Sequence, residues 1–241
     1  MPAAIKLADN VYRIKTLGSF INSYAFVNPD GSVALVDCGL KTAPKQIVEG
    51  LASIGKHPKD VMNVILTHAH DDHVGGAAEF ISLSQAKEVS MHELDAPYVA
   101  AGLTPSTDTS TTAGRIMARI SGSSEKAKYE KFEITKKLQD GDLIDVAGGI
   151  SVIHTPGHTE GHISLLHLAS QTLITGDSIW NMTSRLTWSF SGFCVNYQQS
   201  KDTAHRFLDL DFRNLAFTHG PDIKAVGKDR VKQFLSKKGI S

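Results

Sequence analysis

Between Val61 and Gly76 the chain reads VMNVILTHAHDDHVGG, an apolar run that ends in three histidines and two aspartates within six positions. An apolar run of this length, stopped by turn residues, is the pattern of a buried strand. Alternate side chains of an extended segment point the same way, so His68 and His70 can reach one ion from one face. Asp72 and His73 fall where the chain turns into the next helix and can face a second ion. Gly75 and Gly76 then let the backbone approach closely at the helix start, with no Cβ in the way. Four ligands leave two ions short of partners. The fold must therefore bring the ends of other strands to this one.

Three residues answer that need, each after an apolar run: His158 in TPGHTEGH, Asp177 in TGD and His219 in THG. The set becomes five histidines and two aspartates, a mixed nitrogen and oxygen donor set that suits two divalent metal ions. Zinc is the first expectation, and iron or manganese fit the same ligands. A carboxylate between two ions can bridge them, the role expected of Asp177. Two ions about 3.5–4 Å apart bring the pKa of a shared water toward neutrality. Asp72, with a carboxylate oxygen facing that position, is the expected catalytic group, moving a proton to the leaving group. His162 is expected to orient a ligand from behind, and Asp37 in VDCG to hydrogen-bond the ligand loop. His57, His92, His154, His167 and His205 read as structural.

The rest of the chain alternates strands and helices, which argues for layered α/β architecture rather than a bundle or an all-β sandwich. VYRIKT, SYAFVN and SVALVDC read as strands, with PDG at 29–31 as a turn. Ile47, Val48, Leu51 and Ile54 recur at helical spacing over 42–54, with Thr42 as N-cap and Pro44 in the first turn. After the motif, 75–83 opens a helix. KKLQDGDLIDV, ISVIHT, HISLLHLA and TLITGDS read as strands, followed by a helix at 198–210, the strand NLAFTHG and a last helix KDRVKQFLSKK. Residues 98–131 are rich in Ser, Thr, Gly and Lys and read as a lid insert carrying one or two short helices. No linker cuts the chain, so 1–241 is expected to be one domain.

These segments, THAHDDHVGG, TPGHTEGH, TGD and THG, stand in the order and at the spacings of the metallo-β-lactamase superfamily, which the chain resembles over nearly its whole length. The resemblance implies an αββα sandwich with the metals at one edge between two sheets. It implies that His68, His70 and His158 hold one metal, that Asp72, His73 and His219 hold the other, and that Asp177 bridges. The implied activity is hydrolysis by a metal-bridging hydroxide. Alternatives are an iron-dependent redox or sensing protein using the same ligands, and a phosphodiesterase of the same fold.

Composition narrows the substrate. Lys plus Arg and Asp plus Glu are 25 each, so the formal net charge is zero. No basic surface is advertised, and nucleic acid is not an expected partner. Five aromatic residues crowd into 180–197: Trp180, Trp188, Phe190, Phe193 and Tyr197. Following Asp177, they could wall an apolar pocket or serve the core or a dimer interface. As a pocket they point to a small, fairly apolar ester, lactone or thioester. Within the family, glyoxalase II enzymes carry a helical glutathione-binding region and RNase Z-like nucleases a basic arm, and neither assignment is the expectation here. His70 stands where flavodiiron-type members carry Glu, and lactonases share the HAHDDH pattern. The start shows no secretory h-region and nothing approaches a membrane-spanning run, so the expected location is cytoplasmic. A homodimer is compatible with all of this.

Overall fold

A computed structural model describes residues 4–18, 20–121 and 128–238. The first sheet takes its strands in chain order: β1 (Ile5–Ala8), β2 (Val11–Leu17), β3 (Ile21–Val27), β4 (Val33–Val36), β5 (Val61–Ile65), β6 (Glu88–His92) and β7 (Lys136–Leu138). Neighbours from β1 to β4 are antiparallel, and from β4 to β7 parallel. The second half of the chain contributes β8 (Leu143–Ile144), β9 (Ile150–His154), β10 (Ile163–His167) and β11 (Thr172–Ile174). After a small hairpin of β12 (Ile179–Trp180) and β13 (Thr187–Trp188) comes β14 (Asn214–Ala216). The second sheet has the order β14-β11-β10-β9-β8. The α-helices are α1 (Pro44–Ala52), α2 (Asp71–Val74), α3 (Ala77–Ser84), α4 (Ala96–Ala101), α5 (Thr112–Ser121), α6 (Tyr197–Thr203) and α7 (Gly227–Lys238), with short 3-10 turns at Pro58–Asp60, Ser191–Phe193 and Ala204–Asp209.

The two sheets pack face to face. Phe26, Val36 and Ile65 of the first meet Val152, Leu165 and Ile174 of the second in one apolar cluster. On the outer face of the first sheet, Leu35 and Val64 pack with Ile47 and Leu51 of α1 and Phe80 of α3. On the outer face of the second, Ile153 and Leu166 pack with Phe207 and with Val231 and Leu235 of α7. β4 shows the cause in its sequence. Val33 and Leu35 face the helices while Ala34 and Val36 face the other sheet, and all four are buried. A strand covered on both faces needs an unbroken apolar run. The layers are helix, sheet, sheet, helix, the αββα sandwich expected.

KKLQDGDLIDV divides at Gly141, φ +81°, into two strands in different sheets, β7 and β8. Two readings of the sequence are corrected. The cap of α1 is Ala43, not Thr42, and it makes no side-chain cap bond; Pro44 at the first helical position sets the start. β6, EVSMH, passed unread as a strand, although it pairs with both β5 and β7. No helix among the described residues is long and apolar enough to cross a membrane.

Candidate metal centre

All seven predicted ligands lie beyond strand ends at one edge of the sandwich. His68 to His73 follow β5, His158 follows β9, Asp177 follows β11 and His219 follows β14. His70 Nδ1 stands 3.1 Å from His68 Nε2 and 2.9 Å from His158 Nε2. Three imidazole nitrogens at such distances are a poor hydrogen-bonded cluster, since a neutral ring offers one donor and one acceptor. They are well suited to converge on one cation. Asp72, His73 and His219 form a second group. His219 Nε2 is 3.3 Å from Asp72 Oδ2, and His73 Nε2 is 3.7 Å from Asp72 Oδ1. Asp177 stands between the groups, its Oδ2 3.3 Å from both His158 Nε2 and His219 Nε2.

Four of the five rings are turned toward this centre by a contact at the outer nitrogen. His73 Nδ1 donates to Asp37 Oδ2 at 2.9 Å, and His219 Nδ1 donates to the Phe20 carbonyl at 2.9 Å. His68 Nδ1 lies 3.1 Å from Thr67 Oγ1, and His158 Nδ1 lies 3.6 Å from Cys194 Sγ. The inner nitrogens of His73 and His219 are buried and have no hydrogen-bond partner among the described residues. Buried polar atoms are nearly always paired. Two orphaned imidazole nitrogens beside two carboxylates therefore fit a divalent cation, and the site passes as a metal centre.

The electrostatics separate the two groups. Burial holds the pKa of His68, His70 and His158 below the ordinary histidine value, and neighbouring imidazoles lower His68 further. These three are neutral donors at pH 7. Burial also works against a charge on His73 and His219, but the surrounding carboxylates win. His73 lies well above the usual range, and His219 is raised to about 9 by Asp177 and Asp72. Burial would raise Asp177, yet His219, His73 and His158 hold it well below the usual carboxylate range. In the metal-free chain, protons on His73 and His219 take the place of cationic charge.

The supporting residues explain the precision. Asp37, at φ +58°, accepts from the Thr67 backbone and hydroxyl at 2.8 Å each as well as from His73. His162 Nε2 accepts from the Asp177 N–H at 2.8 Å while Nδ1 faces the Thr155 carbonyl at 3.0 Å. Both arrangements are those expected from the sequence. A Cβ on Gly76 would come within 2.6 Å of the Cys38 carbonyl, so the motif glycine is needed for the close approach.

Asp95 was missed. It is fully buried and accepts from Ala69 N at 2.9 Å, Thr159 Oγ1 at 2.7 Å and Gly161 N at 2.7 Å. It thereby clamps the His68–His73 loop to the His158 loop. An aspartate before Ala-Pro at a helix start looks like an N-cap, and that resemblance hides it. It occupies the cap position of α4, but its side chain makes no cap bond.

Above the ligands opens a cavity of ≈ 660 Å³. Of the five aromatic candidates, Trp180 and Phe193 line it. Trp180 packs on His219, ring centroids 4.7 Å apart. Phe190 flanks Phe193 at 5.2 Å without lining the cavity. Trp188 instead packs on Phe234 of α7 at 4.7 Å, and Tyr197 starts α6 with Lys201 over its ring at 4.9 Å. A two-residue strand pairing explains the split: Trp180 and Trp188 sit on opposite arms of the hairpin, one toward the ligands and one toward the core. Leu17, Phe20 and Met182 supply further apolar wall that the sequence did not reveal. Thr104 to Thr107, Thr109 and Ala118 of the insert close the opposite side. Residues 122–127 of the expected lid lie outside the described residues.

The chain's relatives agree with this geometry. The family model of the metallo-beta-lactamase superfamily matches residues 17–219. The uncharacterized protein YobT of Bacillus subtilis (strain 168) is 28% identical over 225 residues, covering 90% of both chains. The acyl-coenzyme A thioesterase MBLAC2 of Homo sapiens is 26% identical over 84% of this chain and 74% of its own. Among solved structures, the class B3 di-zinc metallo-beta-lactamase LRA-12 from an Alaskan soil metagenome superposes with a TM-score of 0.68 at 21% identity, covering 99% of this chain and 82% of that one. With the family model matched over residues 17–219 and the fold the same, this chain belongs to the metallo-beta-lactamase superfamily.

Proposed function

We propose that this metal-dependent hydrolase cleaves a small, fairly apolar carboxylic ester, lactone or thioester. The observation that carries the reading is the cavity floor: two ligand groups sharing Asp177, beneath walls formed by Leu17, Phe20, Trp180, Met182 and Phe193. His68, His70 and His158 would hold one ion, and Asp72, His73 and His219 the other. Zinc is the first candidate, in keeping with the di-zinc relative. Bound there, divalent ions supply an activated water and polarise the scissile carbonyl.

The chain's own groups do the remaining work. Asp72 is the one carboxylate of the set with a substantially exposed side chain, at 28%. It reaches the cavity and is positioned to carry a proton to the departing alkoxide or thiolate. The apolar walls exclude water and take the acyl group. The insert from Thr104 to Ala118 acts as the lid over this pocket. A zero net charge suits a small neutral substrate better than nucleic acid. Thioester cleavage is the activity named for the human relative, which supports that carbonyl class.

The test is metal content of protein purified without chelator, combined with turnover on lactones, thioesters, aryl esters, β-lactams and phosphodiesters. About two ions per chain and turnover on one carbonyl class are expected. Undiminished hydrolysis by protein verified as metal-free would sink the proposal.

A further inference from the structure

The outer nitrogens of His73 and His219 meet oxygen acceptors, but that of His158 meets sulfur. Cys194 Sγ lies 3.6 Å from His158 Nδ1 and donates to the Phe190 carbonyl, also at 3.6 Å. Ser189 Oγ is 3.3 Å from the same sulfur. Cys194 has no exposed surface. Its place beside the ring is set by backbone pairing, since Val195 N donates to the His158 carbonyl at 3.0 Å and Asn196 N to the Gly157 carbonyl at 2.8 Å. A Cβ on Gly157 would fall 2.1 Å from Ser200 N, so the two segments touch with no slack. From the other side, the Asp108 N–H of the insert donates to the Cys194 carbonyl.

We propose that Cys194 is a positioning residue for His158. Its sulfur accepts the Nδ1–H, which fixes the tautomer that leaves Nε2 facing His70 and Asp177. Its own S–H continues the chain to the carbonyl of Phe190, at the edge of the aromatic wall. The His158 ring is thus tied to the wall of the cavity through one buried thiol, and the same residue's carbonyl is held by the insert. Groups that orient ligating histidines from behind commonly matter by 10–100-fold in metal affinity, and a thiol is a weaker acceptor than the carboxylate behind His73.

The inference rests on the reading of His158 as a ligand, and the two fail differently. Zinc affinity of the full chain would be measured by competition with a chromophoric chelator for the wild type, Cys194→Ala and Cys194→Ser. Cys194→Ala should bind one equivalent about 10-fold more weakly, and Cys194→Ser, which keeps an acceptor of similar size, should recover most of that loss. Equal affinity in all three, or equal losses in Ala and Ser, would overturn the positioning role. Wild-type protein that takes up no zinc would instead remove the ligand reading. Should Cys194→Ala not fold, nitrogen NMR of the histidine side chains decides. The His158 Nδ1 resonance should move in Cys194→Ser while those of His73 and His219 stay. An unmoved His158 signal would overturn the proposal.

Discussion

Asp37 Oδ2 stands 2.9 Å from His73 Nδ1, so a residue at the end of β4 sets the direction in which a ligand after β5 points. The same carboxylate holds Thr67 through its backbone and its hydroxyl. One buried acid fixes the loop and the ring together. Asp37→Asn isolates the carboxylate, because asparagine tolerates the left-handed backbone found there. Metal affinity of the Asp72, His73 and His219 group should fall about 10–100-fold, read by chelator competition. An unchanged affinity would show that the loop alone orients His73.

The raised pKa of His219 gives metal uptake a pH dependence of definite sign. Its folded value of about 9 lies above the ordinary 6.5, so the ring is charged at pH 7 in the metal-free chain. Ligation requires the neutral ring. Apparent metal affinity should therefore rise with pH through about 9, with the raised His73 adding to the slope, and loading at pH 7 should release protons. Calorimetry in buffers of different ionisation heat measures that release. The proton's own contribution to folding has the opposite trend: it is fully present below pH 6.5 and lost as the pH passes 9. Adding alkali should thus weaken this part of the metal-free protein's stability while strengthening metal binding.

His162 packs its ring beside His68 and His158, at centroid distances of 5.2 and 5.8 Å, and accepts the backbone N–H of Asp177. His162→Ala leaves that donor buried without a partner. Unfolding of the metal-free protein in urea should show a loss of about 1–3 kcal/mol from this donor, before any contribution from the lost ring volume. A smaller change would mean that the Asp177 turn finds another acceptor.

Trp188 and Phe193 separate core from pocket. Trp188→Ala should cost about 2 kcal/mol of stability, less than the roughly 3–5 of a fully buried ring, with kcat/KM on the preferred ester retained. Phe193→Ala should leave the melting temperature within a degree or two and raise KM severalfold for apolar acyl groups. Thermal melts and steady-state kinetics on both variants check the assignment, and the reverse pattern would exchange the two roles.

The clustering of the candidate ligands was legible because ligation chemistry restricts residue type: few roles place His-X-His-X-Asp-His at the end of an apolar run. His158, Asp177 and His219 were legible for the same reason, each standing just after a buried strand. The fold's layering followed from the alternation of strands and helices, with β4 an unbroken apolar run covered on both faces. The supporting acceptors were harder to see. Phe20 contributes a backbone carbonyl, which any residue carries, and Asp95 looks like a helix cap. The aromatic cluster at 180–197 misled in part because hairpin register decides which ring faces which side, and two-residue strands carry no periodicity to read.

The turn at Gly141, which passes the chain from one sheet to the other, has a kinetic consequence. His68 to His73 belong to the half before it, and His158, Asp177 and His219 to the half after it. Neither half can complete the ligand set, so the set assembles only when the two sheets have docked across long sequence separations. Docking of that kind is slow and comes late. Ions bound across the seam then act on a structure already formed: they retard its opening, and hardly hasten its folding. The metal centre is a rivet driven after the plates are in place.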